Sequence, residues 1–257
     1  MWKVIAPSGG ILFLAGSLHV LRPTDYPLPS AYNRAFDASA RLVFEDDPKS
    51  ASREFRSLLK AGVYRGRDSL KNHVDPRTYE YLRRFFALRN VAETEFARLR
   101  PWLIDILITS PPPEYYGLGV EGFLLRRALA NSKPVSGLES AKDHNQVLVG
   151  LSDRESEALL LITFINAGQK SSGASMVDLW RQGDADTIAR LMHEAYRDLP
   201  DFGERLLDAR NRNWLPKLEK YLRSGQTYFV VVGAAHMGGP SGLLSLLRTR
   251  GYKVEQL

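Results

Sequence analysis

Two tetrapeptides at opposite ends of the chain, Gly16-Ser17-Leu18-His19 and Gly233-Ala234-Ala235-His236, constrain the fold more than any other feature. Each closes an apolar run that reads as a buried strand, residues 11–15 before the first and 228–232 before the second. A histidine therefore sits just past a strand end in each case, on a turn that glycine permits. The reading along the rest of the chain puts strands at the two ends and helices in the middle. The termini must come together to build one sheet, with the helical middle as a layer or cap over it. In an open α/β sheet, ligands bind beyond the carboxyl ends of the strands. Two histidines delivered there point to one shared site, most simply a metal site.

The local pattern fills in this α/β class. Residues 2–6 and 11–15 flank the breaker-rich Pro7-Ser8-Gly9-Gly10 and predict a hairpin. A loop spans 23–29, a helix runs from Ser30 to Phe36, and a short strand over 41–45 ends at Asp46-Asp47-Pro48. Helical spacing dominates from residue 50 to 107, with 102–108 readable as helix or strand. A helix over Val120–Ala130 precedes a strand at 134–136 and a turn at Gly137-Leu138-Glu139. Residues 152–224 read as helices broken at Gly168, Gly173, Gly183 and Pro200, with Asp184 as a cap. The end reads as strand 227–232, helix 241–250 stopped by Gly251, and strand 252–256. No repeat or linker interrupts the pattern, so residues 1–257 are expected to form a single domain.

Composition removes several function classes. There is no cysteine, which excludes disulfides, thiolate nucleophiles and zinc–thiolate sites. Any transition-metal site must use histidine and carboxylates. The net charge of +6, from 35 Lys+Arg against 29 Asp+Glu, comes without a polybasic tract, and no nucleic-acid partner is expected. No apolar stretch has the length of a membrane span. No export signal is read ahead of the first strand, so a soluble chain is expected, cytoplasmic or the mature form of an exported protein.

Glu45 and Glu139 stand where the histidines stand, at the ends of apolar strands. Two histidines and a carboxylate with an open position are an arrangement for metal-assisted hydrolysis. A second carboxylate serves as general base in such a site. Alternatively, either glutamate caps a neighbouring helix or pairs with Arg210. Arg210, in a helix running on to Trp214, is placed either to orient a carboxylate or stabilise an oxyanion, or to make a surface ion pair. Glu121 opens a helix and either complements its N-terminus or faces the site. His73, His144 and His193 lack a strand-end context and read as structural or surface residues.

These blocks resemble the TraB/GumN family, which includes the Tiki proteases. The resemblance rests on Met1-Trp2-Lys3-Val4, Leu14-Ala15-Gly16-Ser17-Leu18-His19, Asp25-Tyr26-Pro27-Leu28-Pro29 and Leu42-Val43-Phe44-Glu45 in the first part of the chain. It continues through Tyr116-Gly117-Leu118-Gly119-Val120-Glu121, Lys133 to Glu139 and Trp180-Arg181-Gln182-Gly183-Asp184. It closes with Arg210 to Trp214, Val232 to Met237 and Gly251-Tyr252-Lys253-Val254. The resemblance implies an α/β fold related to the erythromycin-esterase and ChaN-like proteins. It also implies a metal-dependent peptide hydrolase that uses two G-x-x-H motifs and a glutamate. Carried onto this chain, His19 and His236 with Glu45 hold a divalent ion such as Mn²⁺, Co²⁺ or Zn²⁺. Glu139 is then the base or a further ligand, and Arg210 orients a carboxylate or stabilises the oxyanion. The substrate is expected to be a peptide or small molecule. Glu121 departs from the aspartate the family leads one to expect. The rival readings are a metal-free esterase-like hydrolase and a peptide-binding or inhibitory protein without turnover.

Overall fold

The computed structural model describes residues 1–168 and 175–257. The expected break at Gly173 lies outside the described residues. The chain divides into two compact units. The first comprises Met1–Ala51, Pro111–His144 and Ser171–Leu257, and the second Ser52–Ser110 and Asn145–Lys170.

The first unit is built on the mixed α/β sheet that the two ends of the chain require. Its strands are β1 (Trp2–Ile5), β2 (Ile11–Ser17), β3 (Arg41–Asp46), β4 (Val135–Glu139), β5 (Tyr228–Gly233) and β6 (Lys253–Gln256). Their spatial order is β4-β3-β5-β2-β1-β6. β5 runs parallel to both β2 and β3, and β3 parallel to β4, whereas β1 is antiparallel to β2 and β6. The parallel core thus sends the carboxyl ends of β2, β3, β4 and β5 to one edge. Ser17 lies opposite Gly233, and Asp46 opposite Glu139.

Alternation along the strands explains why both faces are covered. Phe229 and Val231 face one cluster with Leu42, Phe44 and Ala15, while Val230 and Val232 face another with Leu12, Leu14 and Val43. Side chains two apart share a face of a strand. The first face is closed by the helices Ser30–Ala38, Val120–Ala130 and Met176–Gln182, through Phe36, Leu124 and Trp180. The second is closed by Ala209–Leu222 and Leu243–Thr249, through Trp214, Leu218 and Leu247. Each such large apolar side chain taken from water contributes about 1.5–3 kcal/mol.

The second unit is helical. Its core gathers Leu70, Leu82, Phe86, Phe96, Ile104 and Leu160, with the Phe86 and Phe96 rings stacked at 4.5 Å. The ambiguous segment at 102–108 is a helix, Pro101–Thr109, opened by a proline in the first turn, where its missing N–H costs nothing. Among the described residues no helix is long and apolar enough to cross a membrane.

One local expectation changes. The Gly137-Leu138-Glu139 turn is instead the end of β4. A Cβ on Gly137 would sit 2.4 Å from the backbone of Asp46 and Asp47, so this glycine permits close strand approach rather than a turn. The last two strands, β5 and β6, have β2 and β1 between them.

Candidate active site

The common strand edge carries the candidate chemistry. β2 ends at Ser17, two residues before His19, and β5 ends at Gly233, from which the 3₁₀ turn Ala234–His236 delivers His236. The Ser17–Gly233 register sets the two G-x-x-H segments side by side. Gly16 packs against Ala234, where a Cβ would stand 2.9 Å from the Ala234 Cα.

Arg210 is the hub. It lies buried in the helix Ala209–Leu222 and stacks on Trp214 one turn later, its guanidinium carbon 4.6 Å from the ring centroid. Its Nη2 donates to Glu45 Oε2 at 2.5 Å and to Glu139 Oε1 at 2.7 Å, and its Nε to Glu139 Oε1 at 3.1 Å. Its Nη1 donates to the Leu206 carbonyl at 3.0 Å and to His236 Nε2 at 3.2 Å. Trp214 Nε1 donates to the remaining Glu139 oxygen at 3.1 Å. Glu45 Oε1 accepts the Gly233 N–H at 2.5 Å and lies 3.7 Å from His236 Nε2. Burial alone would raise the Glu45 carboxyl, but the facing His236, Arg210 and His144 and the Gly233 N–H outweigh it and hold the carboxyl below its usual range. Glu139 is likewise lowered: burial opposes ionisation, and the hydrogen bonds with His144 and Arg210 overcome it.

His236 is buried, with its Nδ1 2.7 Å from Asn211 Oδ1. The Asn211 amide nitrogen donates to the Ser241 carbonyl, which leaves Oδ1 as an acceptor. His236 Nδ1 therefore carries the proton, and Nε2 presents its lone pair. Burial lowers the His236 pKa to about 4, so the ring is neutral at neutral pH. His19 is anchored in the same way from the other motif: its Nδ1 lies 2.9 Å from Glu121 Oε1, an oxygen that also accepts from Ser17 Oγ at 2.5 Å. The hydrogen bond to Glu121, and then its charge, raise the His19 pKa to about 9.

The expected residues thus fall into two groups, and all of them but Glu139 line one cleft. Glu45, Glu139, Arg210 and His236 form one hydrogen-bonded cluster. His19 lines the same cleft of about 260 Å³ but bonds to Glu121. Among the described residues, no hydrogen bond or ion pair joins it to Glu45 or His236. Nor do the described residues gather three or more metal-binding side chains at ligand spacing.

Sequence reasoning missed His144, Asn211 and Ser17. His144 Nδ1 lies 3.1 Å from Glu139 Oε1 and 3.0 Å from Arg210 Nη2. Its signal was its place in the helix Ala141–Val149, directly after the strand that ends in Glu139. Asn211 adjoins Arg210, and Ser17 lies inside a motif already singled out.

This sheet, with histidines and glutamates at its strand ends, defines a mixed α/β protein with its candidate site at the carboxyl edge of the parallel strands. The TraB/PrgY/gumN family model matches residues 1–256, and the chain belongs to that family. Two relatives are similar along nearly their whole length. The Uncharacterized protein YbaP of Escherichia coli (strain K12) is 23% identical over 254 residues, covering 95% of this chain and 90% of that protein. The Uncharacterized protein YbaP of Shigella flexneri is 23% identical over 244 residues, covering 91% and 87%. No solved structure matches.

Proposed function

We propose that this chain is a hydrolase of peptide or amide bonds that works with a divalent cation held by His19, His236 and Glu45. The observation that carries the reading is the matched anchoring of the two histidines. Each is fixed through Nδ1, one by Glu121 and the other by Asn211, so that Nε2 is the nitrogen a cation would take, displacing the His19 Nε2 proton and the Arg210 contact on His236. Such partners on the far nitrogen accompany histidines that bind metals. The donor set, two imidazoles and a carboxylate, fits a divalent ion of the Mn²⁺, Co²⁺ or Zn²⁺ type. When bound, the ion supplies Lewis-acid polarisation of the scissile carbonyl.

The chain's own residues divide the remaining work. Arg210 fixes Glu45 and Glu139 and brings positive charge to the floor of the cleft, where an oxyanion would develop. Glu139 is the base. His144, whose Nδ1 is within reach of Glu139 and whose side chain lines the cleft, passes protons between them.

The test is metal content by elemental mass spectrometry, after loading with Mn²⁺, Co²⁺ or Zn²⁺, alongside peptide cleavage. About one equivalent of metal and cleavage are expected in the untagged protein, and both are expected to vanish in the His19→Ala/His236→Ala variant. A double variant with full activity would overturn the reading.

One observation favours a second reading, a metal-free hydrolase. Arg210 Nη1 stands 3.2 Å from His236 Nε2, on the lone pair a cation would take. In that reading a water displaces Arg210 Nη1 from Nε2, and the neutral His236 then accepts its proton there. Activity that survives exhaustive chelation selects this reading.

A further inference from the structure

Two open clefts meet at the candidate centre. One, about 260 Å³, is lined beyond the centre by Leu18, Met176, Ile188, Met192, Leu206 and Leu207. The other, about 270 Å³, is lined beyond it by Phe44, Pro48, Ala51 and Leu125, with Asp46 and Glu121. Among the described residues the linings have only His19, Glu45 and His144 in common. The reacting groups therefore sit at a junction, not at the end of a blind pocket. Together the clefts are in the size range of small-ligand sites, about 300–1,000 Å³.

The linings identify the side chains that would fit. Apart from Ser17 and the cluster at the junction, the described lining of the first arm is apolar, and two of its members are methionines. Methionine is flexible and polarisable and adapts to varied apolar partners. The second arm is mainly aliphatic, with one phenylalanine. Among the described residues neither arm is lined by a lysine or arginine other than Arg210, and since Arg210 is paired with Glu45 and Glu139 and His19 with Glu121, neither arm offers an unpaired cation to grip a terminal carboxylate. An extended peptide advances about 3.3 Å per residue and turns successive side chains to opposite sides. A strand laid over the junction thus presents neighbouring side chains to different arms.

We infer, on the hydrolase reading above, that the cleft takes an extended peptide across His19, Glu45 and His144 and cuts an internal bond, with an apolar side chain seated among Met176, Ile188, Met192 and Leu206 and a second among Phe44, Pro48, Ala51 and Leu125. The substrate class is therefore an unstructured or extended segment that is apolar on both sides of the scissile bond.

The experiment incubates the whole Mn²⁺-loaded chain with a mixed-sequence peptide library blocked by N-acetyl and C-amide groups, and maps cuts by mass spectrometry. Cuts are expected at internal bonds flanked by Leu, Met, Val or Phe. Met192→Glu is expected to lower kcat/KM about ten-fold or more for peptides apolar on one flank, and Leu125→Glu for peptides apolar on the other. Both side chains are only partly buried, and Met192→Ala and Leu125→Ala provide milder versions that keep the fold. Cleavage confined to unblocked peptides within two residues of a terminus would overturn the proposal and leave the hydrolase reading standing. So would a cleavage pattern that both variants share with the parent. If no peptide is cut, the hydrolase reading fails, and fluorescence anisotropy with labelled blocked peptides decides the cleft. Apolar-selective binding lost in both variants supports the groove, and unselective or absent binding overturns it.

Discussion

His236 donates its Nδ1–H to Asn211 Oδ1 over 2.7 Å, and the Asn211 amide is itself pinned by the Ser241 carbonyl. The pair fixes which nitrogen of a buried histidine faces the cleft. Asn211→Ala removes that control while leaving the helix Ala209–Leu222 in place. The expected result is a fall of about 10–100-fold in metal affinity or hydrolysis, with a stability loss of only about 1–3 kcal/mol for the orphaned N–H. Metal titration and kinetics beside a urea melt separate the two effects. Unchanged affinity and kinetics would mean that the His236 tautomer is set elsewhere.

Arg210 is a buried cation between two carboxylates, and its removal is expected to cost far more than the removal of a surface ion pair. Arg210→Met leaves Glu45 and Glu139 facing each other without their shared donor. Breaking a buried pair from one side typically costs about 3–5 kcal/mol. Adding Glu139→Gln to Arg210→Met should recover part of that loss, because one uncompensated charge disappears. Urea unfolding of the single and double variants checks this. A single-variant loss below about 1 kcal/mol would refute the hub role.

The G-x-x-H motifs and the strand-end glutamates were legible because each depends on a local signal, an apolar run that ends in a polar residue, whereas Arg210 stood out only by its place in a helix running on to Trp214. The same signals require a sheet that unites the chain's two ends, and β2 beside β5 meets that requirement. The partnering was not legible. Arg210 and Glu139 lie 71 positions apart, and Ser17 and Glu121 lie 104 apart, so only tertiary packing pairs them. His144 was set aside because it follows no strand directly, yet one helical turn after Glu139 carries it back to the site. The Gly137 turn was misread because close strand approach and chain reversal both use glycine.

Gly16 tests whether the two motifs depend on each other. A Cβ there meets the Ala234 backbone, which cannot swing aside as a flexible side chain would. Gly16→Ala should therefore separate the two segments slightly, at about 1–3 kcal/mol of overpacking. The Leu18–His19 and Ala234–His236 segments move most, so hydrolysis should fall further than the thermal midpoint suggests. A variant with parental kinetics and a parental melting temperature would show that the segments are positioned independently.

In the helical unit, His73 makes stability depend on pH. Its Nδ1 lies 2.6 Å from Asp153 Oδ2 and its Nε2 2.7 Å from Asp68 Oδ2, and its ring stacks on Tyr64 at 4.2 Å. Arg100 also contacts Asp153, at 3.2 Å, and Asn72 donates to Asp68 at 2.9 Å. Burial works against protonation of His73, but the two carboxylates outweigh it and raise the pKa above 6.5. Hydrogen bonds from Asn72, His73 and the Ser69 N–H lower Asp68 from 3.8 to about 2. A raised histidine stabilises fully below its unfolded pKa, and that stability disappears as pH rises through the folded value. A lowered aspartate stabilises above its unfolded pKa, and that stability disappears as pH falls through the folded value. The contribution of the cluster should therefore be flat between about pH 4 and about 6.5, falling on the alkaline side as His73 deprotonates and on the acid side as Asp68 protonates. His73→Gln should lower the plateau and remove the alkaline limb. Thermal melts of both proteins from about pH 4 to about pH 10, with hydrogen exchange read over residues 64–73, measure it. Melting curves that stay parallel across that range would show that His73 does not carry its proton into the fold.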